Sequence, residues 1–183
     1  MSDTSSERLE WIREVIDQHQ SRLIRFATRI TGDFETARDV VQDTFLRLLR
    51  EDIDKTRDHV APWLFKVCRN RALDVRRKEG PLMPLDGVIT ARLEGQGPDP
   101  LAALERRATA GHVLAVLGEL PARQQEVLRL RFQEDLSYKE ISAITNCPVG
   151  SVGFLIHTGI KHLRQRLIAP AGSGRREGGQ SHA

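Results

Sequence analysis

At 100° per residue, Trp63, Lys66, Asn70, Asp74 and Arg77 fall on one side of a helix around Val67, opposite Ala61, Leu64, Cys68, Ala72 and Val75. An aromatic ring among cations and an amide suits stacking on unpaired bases, while lysine and arginine meet phosphates. The competing reading folds Trp63 back onto a neighbouring helix and leaves the cations solvated. A second set lies nearer the C-terminus, where Ser151, Phe154, Thr158, Lys161 and Gln165 share an outward face flanked by His157 and His162. Their hydroxyls can bond phosphate or base edges, and phenylalanine or threonine methyl groups can touch a thymine methyl. Phe154 has a plainer reading as a packing residue. Neither set carries acid–base or nucleophilic chemistry: the sequence holds no H-E-x-x-H, Glu-x-x-His, Walker loop, G-x-G-x-x-G or G-x-S-x-G. No catalytic residue, metal ligand or cofactor is expected.

The second set must be positioned by a helix-turn-helix. In LSYKEISAITNCPVGSVGFLIHTGIKHLRQRL (Leu136 to Leu167), Ser137 and Glu140 have capping-box spacing, Asn146 suits a left-handed stop and Pro148 bars continuation of the first helix. Val152, Ile156, Gly159, Ile160, Leu163 and Leu167 then form the inner stripe of the second helix. A short helix, a turn and a longer helix can lay the latter in a major groove.

Upstream, helical periodicity predicts one helix from about Glu7 to Ile30 and a second from Phe34 to about Arg50. Gly32 and Asp33 supply the stop and the next N-cap. The second helix has an apolar stripe of Ala37, Val40, Val41, Thr44, Phe45 and Leu48. Glu51 to His59 reads as a polar loop, and a third helix runs from near Pro62 to about Lys78. Gly80 to Pro98 reads as a linker. Asp99-Pro100 opens another helix through Leu117, and Leu120-Pro121 resets the chain into the helix supporting the capped pair. From Ala169 onward the Gly/Ser-rich tail is expected to be disordered. The predicted fold is all-α: two small helical domains joined by a flexible linker, the C-terminal one a helix-turn-helix. The boundaries are 1–80, a linker over 81–99, 100–168, and a tail over 169–183.

The net charge of +3 is unevenly spread. Residues 1–60 hold 10 Lys/Arg against 13 Asp/Glu, 61–80 hold 6 against 2, 81–120 hold 3 against 5, and 121–183 hold 9 against 5. Two separated basic segments suggest two contacts with a polyanion, leaving acidic segments for another partner. Cys68 and Cys147 lack zinc spacing and read as reduced thiols of a cytosolic protein. The N-terminus is polar and acidic, unlike a signal peptide. No apolar run approaches the roughly 20 residues of a membrane span, so no membrane insertion is expected.

Three segments in order, RLIRFATRITGDFETARDVVQDTFLRLLR, APWLFKVCRNRALDVRRK and LPARQQEVLRLRFQEDLSYKEISAITNCPVGSV, resemble the extracytoplasmic-function (ECF) group of bacterial sigma factors. The resemblance covers about residues 17–78 and 111–167. It implies a cytoplasmic initiation factor that recruits core RNA polymerase to promoter DNA, with an anti-sigma factor as a further partner. Asp39, Gln42, Asp43, Leu46 and Arg47 would dock on polymerase. Trp63, Lys66, Arg69, Asn70, Arg76 and Arg77 would engage the minus-ten strand while the loop from Glu51 to His59 captures an extruded base. Ser137, Lys139, Ser151, Phe154, His157, Thr158 and Lys161 would read the minus-thirty-five duplex.

This sequence departs from the family pattern at the second helix-turn-helix helix. Where relatives carry basic residues, Val152 to Gly159 holds none, and the first cation is Lys161. Fewer cations mean a smaller electrostatic share of binding and a shallower salt dependence. This unit is therefore expected to bind DNA weakly alone and to depend on tethering by polymerase. Two rival readings are a stand-alone helix-turn-helix regulator and a helical adaptor. The first leaves Asp39 to Arg47 and the Trp63 face without a role, and the second leaves the basic Arg69–Lys78 segment without one.

Overall fold

The computed structural model describes residues 3–79 and 110–168, and every described element is helical. The predicted linker, the start of the helix at Asp99-Pro100 and the tail lie outside the described residues. The N-terminal unit comprises α1 (Asp3–Thr31), α2 (Phe34–Leu48), the short α3 (Ile53–Thr56), a 3-10 turn (Arg57–His59) and α4 (Val60–Glu79). The C-terminal unit comprises α5 (110–118), α6 (Ala122–Phe132), α7 (Tyr138–Thr145) and α8 (Val149–Ile168).

Local chemistry sets the helix ends. Gly32, with φ of 80°, bonds Thr28 O and ends α1. Asp33 then caps α2 by accepting from Thr36 N at 2.7 Å. That bond holds its carboxyl below the ordinary range. The Ser137–Glu140 capping box is reciprocal, at 3.3 and 2.7 Å. Asn146 stops α7 with φ of 56°.

The polar stretch from Glu51 to His59, expected to be a loop, instead winds through α3 and the 3-10 turn. A four-residue helix is too short to leave a hydrophobic period in the sequence. Both ends of this stretch are fastened. Arg8 donates to Leu49 O at 2.7 Å, and Arg57 lies over the Trp11 ring at 5.6 Å.

In the N-terminal unit α1, α2 and α4 pack around Leu23, Ala27, Val40, Leu48, Leu64 and Cys68. Phe26 meets Phe65 edge-on at 5.2 Å. Burial pushes the Cys68 thiol up to about 12, against a weaker opposing hydrogen bond from Thr44. The C-terminal unit closes over Val127, Leu130, Ile141, Ile144, Val152 and Ile156. Here α6 and α8 approach closely because Gly159 has no side chain: a Cβ there would lie 2.8 Å from Leu128 Cδ1. The two units are not held apart. α7 packs against α4, and the buried apolar residues of both units form one continuous cluster.

Candidate nucleic-acid and polymerase interfaces

α2 buries Ala37, Val40, Val41, Thr44 and Leu48 against α1 and α4. That packing turns Asp39, Gln42, Leu46 and Arg47 outward, with Leu46 more than half exposed and Leu49 continuing the face. Asp43 is half-buried and accepts from Arg71 Nε at 2.8 Å. Of the five predicted docking residues, it therefore also ties α2 to α4.

α4 exposes four of its six cations, Lys66, Arg76, Arg77 and Lys78. Lys66, Asn70, Arg76 and Arg77 are exposed, and Arg77 pairs with Asp74 one turn back. Two predicted residues sit elsewhere. Trp63, read as a water-facing aromatic, is partly buried and packs against the apolar cluster. Its environment is wider than the stripe of Leu64, Cys68 and Ala72 because α4 is flanked by α1 and α2 on one side and α7 on another. Arg69 is only 16% exposed and grips Glu126 of α6 with two nitrogens, at 2.7 and 3.2 Å.

On the helix-turn-helix, Ser137, Lys139, Ser151, His157 and Lys161 are exposed, as is Phe154 at 67%. Ser137 is occupied as the cap of α7. Thr158 departs from the outward placement. Its hydroxyl donates to Phe154 O at 2.8 Å and accepts from Gln124 Nε2 at 2.9 Å, which turns it toward α6. Arg69, Arg123, Asn146, Ser151 and Phe154 line a cleft of about 700 Å³ between α4 and the α7–α8 turn.

A second meeting of the two units gave no sequence signal. Arg22 of α1 approaches Glu134 to 2.6 Å, a charge contact lying off the N–H direction, and also donates to Gln133 O at 3.2 Å. Burial raises the Glu134 carboxyl despite Arg22, Arg25 and Arg29 around it. Burial, then the neighbouring Arg29, lowers Arg129 to about 10, and its Nε and Nη1 have no partner among the described residues. The buried His19 lies next along α1. Burial and then Arg22 lower its pKa, and its Nδ1 is also unpartnered. Among the described residues no helix is long and apolar enough to cross a membrane, and no group of three or more His, Cys, Asp or Glu could hold a metal.

Residues 15–81 match the family described as Sigma-70 region 2, and residues 112–163 match Sigma-70, region 4. The ECF RNA polymerase sigma factor EcfG of Rhodopseudomonas palustris is 33% identical over 129 residues, 69% of this chain and 68% of that one. The chain belongs to the ECF RNA polymerase sigma factors. The ECF sigma factor SigE of Mycolicibacterium smegmatis is 30% identical over 158 residues, covering 84% of this chain but 60% of SigE. In fold, the sigma factor resembles RpoE from Bartonella quintana, solved in complex with the anti-sigma factor NepR. The TM-score is 0.57 at 20% identity, covering 93% of this chain and 99% of that one. Membership makes the protein an initiation factor rather than an enzyme, and its two family regions fall in the two helical units.

Proposed function

We propose that this sigma factor joins core RNA polymerase through the exposed face of α2 and opens promoters with α4, while α8 reads the minus-thirty-five duplex. The observation that carries this reading is the division of labour on two adjacent helices. α2 offers a mixed face of Asp39, Gln42, Leu46 and Arg47 suited to a protein, whereas α4 offers Lys66, Asn70, Arg76 and Arg77 suited to a phosphate backbone. Asp43 contributes to docking from the α2–α4 seam, and the stretch from Glu51 to His59 receives an extruded base beside α4. An unstacked base costs a few kcal/mol, which pocket contacts and phosphate neutralisation offset.

Ser137, Lys139, Ser151, Phe154, His157 and Lys161 meet the duplex, with Thr158 setting the spacing of α8 from α6. Functionally the chain divides into 1–80 for polymerase and minus-ten contacts, a connector over 81–99, 100–168 for the upstream element, and a tail over 169–183. The protein works in the cytoplasm and is restrained by an anti-sigma factor, a partner suggested by the complexes in which its structural relatives were solved.

Transcription with purified core enzyme over a randomised promoter library tests the reading. A defined two-element promoter class should emerge. Substituting Leu46→Glu should abolish co-purification with core polymerase, and its persistence would overturn the docking face.

A further inference from the structure

We propose that the cleft between α4 and the α7–α8 turn binds a nucleotide, with Arg123, Asn146 and Ser151 at its phosphates and Phe154 against its base. This small-molecule site goes beyond promoter reading, and its occupancy does not depend on that role.

The lining has the chemistry of an anion site. Arg69 of α4, Arg123 of α6, Asn146 of the turn and Ser151 of α8 converge on one cleft, and none of its lining residues is acidic. Glu126 engages Arg69 through Nε and Nη2, which fixes that guanidinium and answers its charge. Arg123 is exposed and makes no ion pair among the described residues, so the cleft keeps one uncompensated cation. The exposed Asn146 amide and Ser151 hydroxyl supply neutral donors beside it. A phosphate meets such a set with several bonds, the one from Arg123 charge-assisted.

The remaining wall suits a flat organic group. Pro148 and Leu155 line it from the turn and from α8, and Leu155 is backed by the apolar cluster. Phe154 stands exposed at the same cleft, with its ring free to stack. The volume of about 700 Å³ falls in the range of small-molecule sites. A bare anion would leave the apolar wall unused, and an apolar ligand would leave Arg123 unused. A nucleotide uses both. Ser151 and Phe154 also belong to the proposed duplex surface, so nucleotide and promoter exclude each other there.

The test titrates ADP into the full-length chain, free of DNA and polymerase, with pyrophosphate and adenosine as its two fragments. Calorimetry gives the affinities, and saturation-transfer NMR shows which part of ADP touches protein. ADP should bind more tightly than either fragment, with the strongest transfer on its adenine protons. Arg123→Ala should weaken ADP about tenfold, the loss of one charge-assisted contact. Phe154→Ala should weaken it by about the same factor and remove the excess transfer at adenine. Both side chains are exposed, so an unchanged Tm is expected and confirms that each variant folds. Arg164→Ala removes an exposed cation outside the cleft and should leave ADP binding unchanged. No ADP binding, pyrophosphate binding as tight as ADP, or equal losses in the Arg123 and Arg164 variants would overturn the site. With no DNA in the assay, any of those results would leave the promoter-reading role standing.

Discussion

α4 and α8 are both 20-residue helices that face nucleic acid in the proposed holoenzyme, yet they are built on opposite terms. α4 exposes Lys66, Arg76, Arg77 and Lys78, so its proposed attraction to a strand is electrostatic and long-ranged. α8 offers no cation before Lys161 and instead exposes Phe154 between Ser151 and His157. It is held in place by a capped supporting helix, the Gly159–Leu128 approach and the Thr158–Gln124 bond. In the proposed holoenzyme one helix recruits and the other recognises once delivered. A sigma factor need not make both contacts strong, because polymerase supplies the effective concentration for the second.

The largest effect should come from stripping the cationic edge. Lys66→Ala, Arg76→Ala and Arg77→Ala together would remove three proposed phosphate contacts and should lower the slope of log K against log salt by about 2 for single strands. Initiation by the holoenzyme should fall by ten-fold or more, read by run-off transcription. An unchanged salt slope would break the comparison on the α4 side.

A moderate effect should follow from giving α8 what it lacks. Phe154→Lys adds one cation at a site already 67% exposed, so folding should be untouched. Duplex binding by the full-length chain should gain a salt slope of about 0.9. If Phe154 reads a thymine methyl, the same change reduces selectivity among promoter variants, which a competition footprint would register.

The smallest effect separates the glycines of α8. Gly153→Ala meets only Tyr138 at ordinary contact distance and should stabilise the chain by up to about 1 kcal/mol, read as a rise in Tm. Gly159→Ala must displace the buried Leu128 and should lose that gain. Equal shifts for the two would show that the α6–α8 approach is looser than the structure has it.

The helix-turn-helix was legible because its signals are local: Ser137, Glu140, Asn146 and Pro148 each act within a few residues of their own position. The α2 stripe was legible for the same reason, with a full helical period to read. The helical wheel left Trp63 between two readings and turned Thr158 outward because it assumes one buried side. α4 is flanked on two sides, and Thr158 sits at the α6 boundary, where one hydrogen bond decides its direction. α3 was missed for want of length. The Arg69–Glu126 and Arg22–Glu134 contacts join residues 57 and 112 positions apart, and no periodicity or spacing encodes such pairs.

The anchoring of the stretch before α4 has its own consequence. With Arg8 holding one end, Arg57 seated on Trp11 at the other and Thr56 buried between them, little conformational freedom remains to be lost there. A nucleotide received at that corner would find its seat already assembled, so the heat of capture would go into contact rather than into ordering the backbone.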